Sequence, residues 1–293
     1  MARTTKRDSS LIKIIFVCDF YKKDLNNVGG AENNDSVLIS SLEKKGYDVE
    51  KKYCSEATPQ YIEDNKDKFF IIGNFVSLKE ESKKALYDKN YIIYEHDHKY
   101  VITRDPSKFV NFIAPPSKII NKDFFKNANC VICLSNSQAK SVKENLNIEN
   151  VESIGCSMWS KEKLDYISSI SNNKKTKKYC VINSNNPTKG KREAMGYCTK
   201  NNIEYDLIAS NNEKEFLQTL SSYQTLVFVP TVLESLCRLA VEAKMLNCKL
   251  ITKPILLGAS SEDWWNLSGE ELIDAIRKKQ KTAINTFVKH IKG

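Results

Sequence analysis

Between residues 225 and 252 the chain reads TLVFVPTVLESLCRLAVEAKMLNCKLIT, and the spacing of its apolar residues changes twice. Leu226 to Val229 is a continuous apolar run closed by Pro230, which predicts a buried strand. Leu236, Leu239, Ala240, Ala243 and Leu246 then recur at helical spacing before Lys249 to Thr252 turns β-like again, completing one βαβ unit. The same alternation runs along the rest of the chain. Further strands are expected at Leu11–Asp19, Phe69–Gly73, Tyr91–Tyr94, Cys130–Leu134, Tyr179–Asn183 and Tyr205–Ser210. Helices are expected up to about Lys45, over Leu78–Tyr87 and Lys118–Asn127, and from a cap at Ser135 or Asn136 through Glu144. Near the end, Ser260 to Asp263 predicts a cap for a helix carrying Trp264 and Trp265 as packing residues, and Glu270–Ile291 predicts one or two amphipathic helices.

Strands alternating with helices give the α/β class with parallel sheets. A polar stretch at Trp159–Lys178, including NNKKTKK, reads as a linker between two Rossmann-like halves. A length of 293 residues with 41% hydrophobic content supports two such cores. No apolar run reaches the roughly 18 residues that a membrane span needs, and MARTTKRDSS lacks a secretory apolar segment, so the expectation is a cytoplasmic protein without a span.

Nine cysteines scattered through apparent strands and helices read as buried free thiols. Cys130 and Cys133 form a CxxC, but residues three apart on a strand face opposite sides, which argues against zinc. The net charge of +9 favours anionic partners, among them DNA. The basic tail and NNKKTKK hold part of that excess and also suit solvated segments.

Four places carry candidate chemistry. Glu234 and Glu242 bracket the start of the central helix. Eight helical residues separate them by about 12 Å of rise and roughly 80° of rotation, so they can flank an extended ligand but not grip one atom. With Glu234 in the turn, the free amides of Ser235, Leu236 and Cys237 would offer a diphosphate the positive end of the helix. The alternative is a capping Glu234 and a solvated Glu242. Gly29 and Gly30 interrupt the chain between the first strand and its helix, as phosphate loops do and as ordinary turns also do. The segment EHDHKYVITRDP concentrates His96, Asp97, His98, Arg104 and Asp105 beyond a strand's carboxyl end. Its two histidines could suggest a metal pair, but no third ligand is identifiable. Finally, Lys189 and Gly190 lie in a turn entering a helix.

In this order these segments resemble retaining glycosyltransferases of the GT-B fold, specifically glycosyltransferase family 4. The resemblance covers most of the chain. It implies that Glu234 approaches the donor sugar and Glu242 holds the ribose hydroxyls. Gly29 and Gly30 would face the donor phosphates, His96 would reach the donor sugar, and Lys189 would belong to the phosphate clamp. His96, Lys189 and Glu234 are thus the expected catalytic residues, and His98, Asp97 and Arg104 the acceptor-side ones. Two departures stand out: Ser184 occupies the place of the clamp's arginine, and Ser235, Leu236 and Cys237 replace the usual glycines around an aromatic.

The expected architecture is therefore GT-B, two Rossmann-like domains facing across a cleft. Residues 1–158 would form an acceptor-side domain and 159–260 a nucleotide-sugar domain, with 261–293 crossing back as C-terminal helices. The expected reaction is retaining transfer from a UDP- or GDP-sugar type of donor, without an obligatory metal, to an acceptor hydroxyl such as that of a hydroxylated base in DNA. Compact GT-B proteins of phage carry out such base modification. The alternatives are a saccharide or other small acceptor, a nucleotide-sugar or nucleic-acid binding protein whose catalysis has decayed, and a GT-B epimerase or phosphorylase.

Overall fold

The computed structural model describes residues 12–24 and 29–292. The basic tail, the start of the first expected strand and Asn26 to Val28 of the glycine-pair segment lie outside the described residues. The first half runs β1 (Lys13–Cys18), α1 (Gly30–Lys44), β2 (Asp48–Tyr53), α2 (Pro59–Asp64), β3 (Phe69–Ile72), α3 (Glu80–Ala85), β4 (Tyr91–Glu95), α4 (Lys122–Asn127), β5 (Cys130–Cys133), α5 (Asn136–Leu146) and β6 (Val151–Ser153). The second continues with α6 (Lys161–Ser171), β7 (Lys177–Ile182), α7 (Lys191–Lys200), β8 (Asp206–Ile208), α8 (Glu213–Ser221), β9 (Tyr223–Val227), α9 (Arg238–Met245), β10 (Lys249–Ile251) and α10 (Gly269–Lys292).

Two parallel sheets result. One has six strands in the order β2-β1-β3-β4-β5-β6, and the other has four in the order β10-β9-β7-β8. The central strands are those whose sequences are continuously apolar, such as FFII and CVIC, because helices cover both faces of a parallel sheet. Cys130 packs into the core on one face of the first sheet and Cys133 into the core on the other, as strand alternation requires. All nine cysteines are buried and unpaired. One apolar cluster is continuous across both halves, from Phe16 and Tyr94 through Met158 and Trp159 to Leu226, Ala240 and Phe287.

Two expectations need correction, the linker and the helix carrying the tryptophans. The stretch read as a linker contains α6, which Ser160 caps by accepting from the Lys163 amide and which buries Leu164, Ile167 and Ile170 at helical spacing. Trp264 and Trp265 lie in a turn rather than in an α-helix. Trp264 is nonetheless buried, with its indole donating to the Gly155 carbonyl at 2.8 Å. The final amphipathic stretch is a single 24-residue helix, α10. Among the described residues, no helix is long and apolar enough to cross a membrane.

Candidate functional site

Parallel strands present their following loops at one edge, where αβ proteins place ligands. Loops from that edge of both sheets enclose a cleft of about 830 Å³. Gly29, Gly30, His96, Asp97 and Arg104 line it from the first half, and Lys189, Glu234, Ser235, Leu236, Cys237 and Glu242 from the second. His98 does not reach it. That imidazole is buried, its Nδ1 lies 3.0 Å from the Tyr100 hydroxyl, and burial pushes its pKa down to about 4. The acceptor-side place expected for His98 is therefore withdrawn.

The halves meet directly around the central turn. Ser235 Oγ donates to the His96 carbonyl at 2.7 Å, the Leu233 amide donates to Asp105 Oδ1 at 3.1 Å, and Ser135 Oγ donates to the Ser235 carbonyl at 2.6 Å. Gly258 makes this approach possible, since a Cβ there would stand 2.1 Å from the Ser235 carbonyl oxygen. α9 begins at Arg238, one residue after Cys237, which caps it in the left-handed region at φ 78°. The helix-terminal amides are consequently those of Arg238 and the residues after it, rather than Ser235 to Cys237. Burial pushes the Cys237 thiol up, so it is not an activated nucleophile.

Glu242 is a buried carboxylate with asymmetric oxygens. Oε1 accepts from Trp159 Nε1 at 2.7 Å, lies 2.6 Å from Lys163 Nζ, and is 3.8 Å from Arg238 Nη2. Among the described residues no donor bonds Oε2, and the side chain borders the cleft. Burial alone would raise this carboxyl, but Lys163 and Arg238 hold it below the ordinary range. Lys163 also bonds Glu213 at 2.6 Å, so three elements of the second half converge here.

Glu234 receives Lys189 Nζ at 2.7 Å. Burial lowers the Lys189 ammonium, and the neighbouring Glu234 carboxylate outweighs it, so that cation is held above its usual pKa. Lys189 enters the cleft because Gly190 turns the chain sharply at φ +64°. A Cβ on Gly190 would lie 1.6 Å from the Val229 carbonyl oxygen.

In the first half, His96 Nε2 lies 2.6 Å from Asp35 Oδ1, both side chains being at most 4% exposed. In the tautomer that donates from Nε2, the ring presents Nδ1 as an acceptor, and Nδ1 has no partner among the described residues. Asp97 takes a fork of hydrogen bonds from Arg104 and one from Lys99 at 2.7 Å. Burial raises the Asp97 carboxyl, but Lys99 and Arg104 reverse that and hold it well below the carboxylate range.

Sequence reasoning missed Asp35, Trp159, Lys163 and Arg238. Asn34 and Asp35 were legible as polar residues on a helix face that must be buried, while Trp159 and Lys163 were hidden in the supposed linker. One further trio, Cys130, Glu152 and His290, brings ligand atoms within 4.8 Å of one another. It could hold a metal ion, but Cys130 opens β5, at the edge opposite the cleft, and Lys289 shares Glu152 at 3.1 Å.

No protein-family model matches the chain, and no curated protein matches it in sequence. Similar solved structures do exist. HepE of Anabaena in complex with UDP superposes with a TM-score of 0.51 at 13% identity, covering 94% of this chain and 98% of that one. An α-glucosyltransferase in complex with UDP-glucose and DNA containing an abasic site gives 0.49 at 11% identity over 96% and 92%. A glycosyltransferase from Rickettsia africae gives 0.46 at 11% identity over 96% and 94%. The likeness to HepE fixes the fold as GT-B, two Rossmann-like halves facing each other across a cleft.

Proposed function

We propose that the protein is a glycosyltransferase that takes a sugar from a nucleoside-diphosphate sugar and passes it to an acceptor hydroxyl. The observation that carries this reading is Glu242, a buried carboxylate whose Oε1 is fixed by Trp159 and Lys163 while Oε2 stays free at the cleft. A carboxylate held ionised in this way suits the two hydroxyls of a ribose. The HepE complex, which contains UDP in the same fold, supports the same donor class.

From that anchor the diphosphate extends toward Lys189, Gly29 and Gly30. As the sugar–phosphate bond breaks, negative charge grows on the departing oxygens. Lys189 is the cation positioned to meet it, exchanging its contact with Glu234 for one to phosphate. Glu234 then faces the sugar, and His96, oriented by Asp35, lines the wall of the cleft beside it. The reaction is read as a same-face displacement with retained configuration, in which the leaving phosphate helps to deprotonate the acceptor and Glu234 stabilises the sugar without bonding to it.

The acceptor enters beside Asp97, Arg104 and Lys108. A hydroxylated base in DNA is the acceptor we put first, and the +9 charge is compatible with it. NNKKTKK leads into β7 at the edge away from the cleft, where Lys175 bonds the Ser221 and Leu246 carbonyls and Lys177 pairs with Asp206 at 3.3 Å. Phosphates would instead meet Arg104 and Lys108 at the mouth of the cleft. The test is calorimetric titration with UDP-, GDP- and ADP-sugars, followed by transfer of labelled sugar to hydroxymethylated DNA, unmodified DNA and free saccharides. Absence of binding by every donor would overturn the donor reading. Transfer only to saccharides would overturn the DNA reading alone.

A further inference from the structure

We propose that Arg238 binds the donor's diphosphate and supplies the second positive charge that position 184 lacks. The inference rests on the donor reading above and adds a residue to it. Ser184 contributes no cation, it does not border the cleft, and its hydroxyl accepts from the Asn186 amide at 3.1 Å. Lys189 alone would face a group carrying about two negative charges, in a site that excludes part of the surrounding water.

Arg238 stands where a compensating charge is needed. It is the first residue of α9, so its guanidinium and the helix-terminal amides share one end of the helix. Its stem also packs against the start of α1, where a Cβ added to Gly30 would come 3.3 Å from Arg238 Cδ. Two helix N-termini, both favourable to anions, therefore converge on this side chain.

The guanidinium is built in but not saturated. It lies over the Trp159 ring at 4.7 Å and is 14% exposed. Nη1 donates to the Met158 carbonyl and to Asn34 Oδ1 and Ser157 Oγ, each of the latter at 3.2 Å. Among the described residues Nε and Nη2 make no hydrogen bond; the guanidinium's bonds all leave from Nη1. The nearest carboxylate oxygen, Glu242 Oε1, is 3.8 Å from Nη2 and already engaged by Lys163 and Trp159. An arginine carries five N–H donors in a planar fork, so three remain for a ligand. Two phosphate oxygens match the Nε/Nη2 edge of that fork, whereas a lone hydroxyl would not.

A residue that only straps the two halves together would make the same Nη1 contacts, and the experiment separates the two roles. Affinity for UDP and for uridine is measured by calorimetry on the full chain and on Arg238→Gln, with GDP and guanosine used if UDP does not bind. A diphosphate contact predicts at least a tenfold loss for the diphosphate, a change within twofold for the nucleoside, and a shallower dependence of diphosphate affinity on salt. Equal losses for both ligands, or no loss for either, overturn the proposal while leaving the donor reading intact. Should Arg238→Gln fail to fold, Arg238→Lys keeps the charge but removes the fork. A fivefold or larger loss confined to the diphosphate then supports the proposal, and unchanged affinity overturns it. Wild-type protein that binds no nucleoside diphosphate would overturn the donor reading itself.

Discussion

The indole of Trp159 donates a hydrogen bond to Glu242 at 2.7 Å, joining the chain segment that leaves the first half to the helix that follows the central turn of the second. Both side chains are buried, and the same Glu242 oxygen also receives Lys163. The carboxylate is therefore fixed before any ligand arrives. Glu242→Ala should weaken nucleoside-diphosphate binding by tenfold or more, since hydrogen bonds to a charged group contribute about 1.5–3 kcal/mol each. Calorimetry on the folded variant checks it, and Lys163 keeps Glu213 as a partner at 2.6 Å. Unchanged affinity would remove Glu242 from the ribose site.

Lys189→Ala should separate turnover from stability. The ammonium pairs with Glu234 in the free protein but is needed most when the diphosphate departs. Steady-state rates are expected to fall by at least a hundredfold, with little change in Tm. Equal loss of both would identify a structural lysine.

Gly190→Ala tests the turn that delivers Lys189. The residue has φ +64°, and an added Cβ would meet the Val229 carbonyl oxygen at 1.6 Å, a contact that backbone movement alone can relieve. Denaturant unfolding should show a loss of about 2 kcal/mol or more, with donor affinity falling alongside. A variant as stable as wild type would mean that the turn is not constrained as described.

Acid should destabilise the protein through His98. Burial lowers its folded-state pKa to about 4, below the unfolded value of about 6.5, so the unfolded chain binds the proton more readily. This contribution is complete above the unfolded pKa and is lost as pH falls from about 6.5 toward 4, by up to roughly 3 kcal/mol. His98→Asn should flatten the slope of stability against pH in that window. An unchanged slope would show that His98 charges without cost.

Much of the architecture was legible because short, continuously apolar runs such as FFII, bounded by polar turns, fit strands covered on both faces, and the runs came in a GT-B order. The strand order β2-β1-β3-β4-β5-β6 was not, since pairing depends on contacts between distant segments. α6 was obscured because NNKKTKK drew attention from Leu164, Ile167 and Ile170 just before it. The start of α9 was misplaced because a left-handed cap usually signals itself through glycine, and here the residue is Cys237. In the cleft, charged residues with a familiar spacing could be found from sequence. Arg238 could not, because its importance lies in which distant groups it touches, and Asp35 showed only as a polar residue on a buried helix face, without its partner His96. His98 was misplaced because its position in a polar segment beyond a strand does not say whether the ring faces the cleft or the core.

The long last helix bears on how the molecule is made. α10 starts against α6 and α9, yet its Phe287 ring packs at 4.9 Å on Tyr94 of β4, and Lys289 and His290 pair with Glu152 on β6. On the ribosome, β4 and β6 emerge long before Phe287. One face of the first sheet must wait, with Tyr94 uncovered, until the chain has been synthesised through the final turns of α10. A nascent chain halted after Leu267 should therefore bind an apolar dye or a chaperone that the released protein ignores, although every strand of both sheets has already been made.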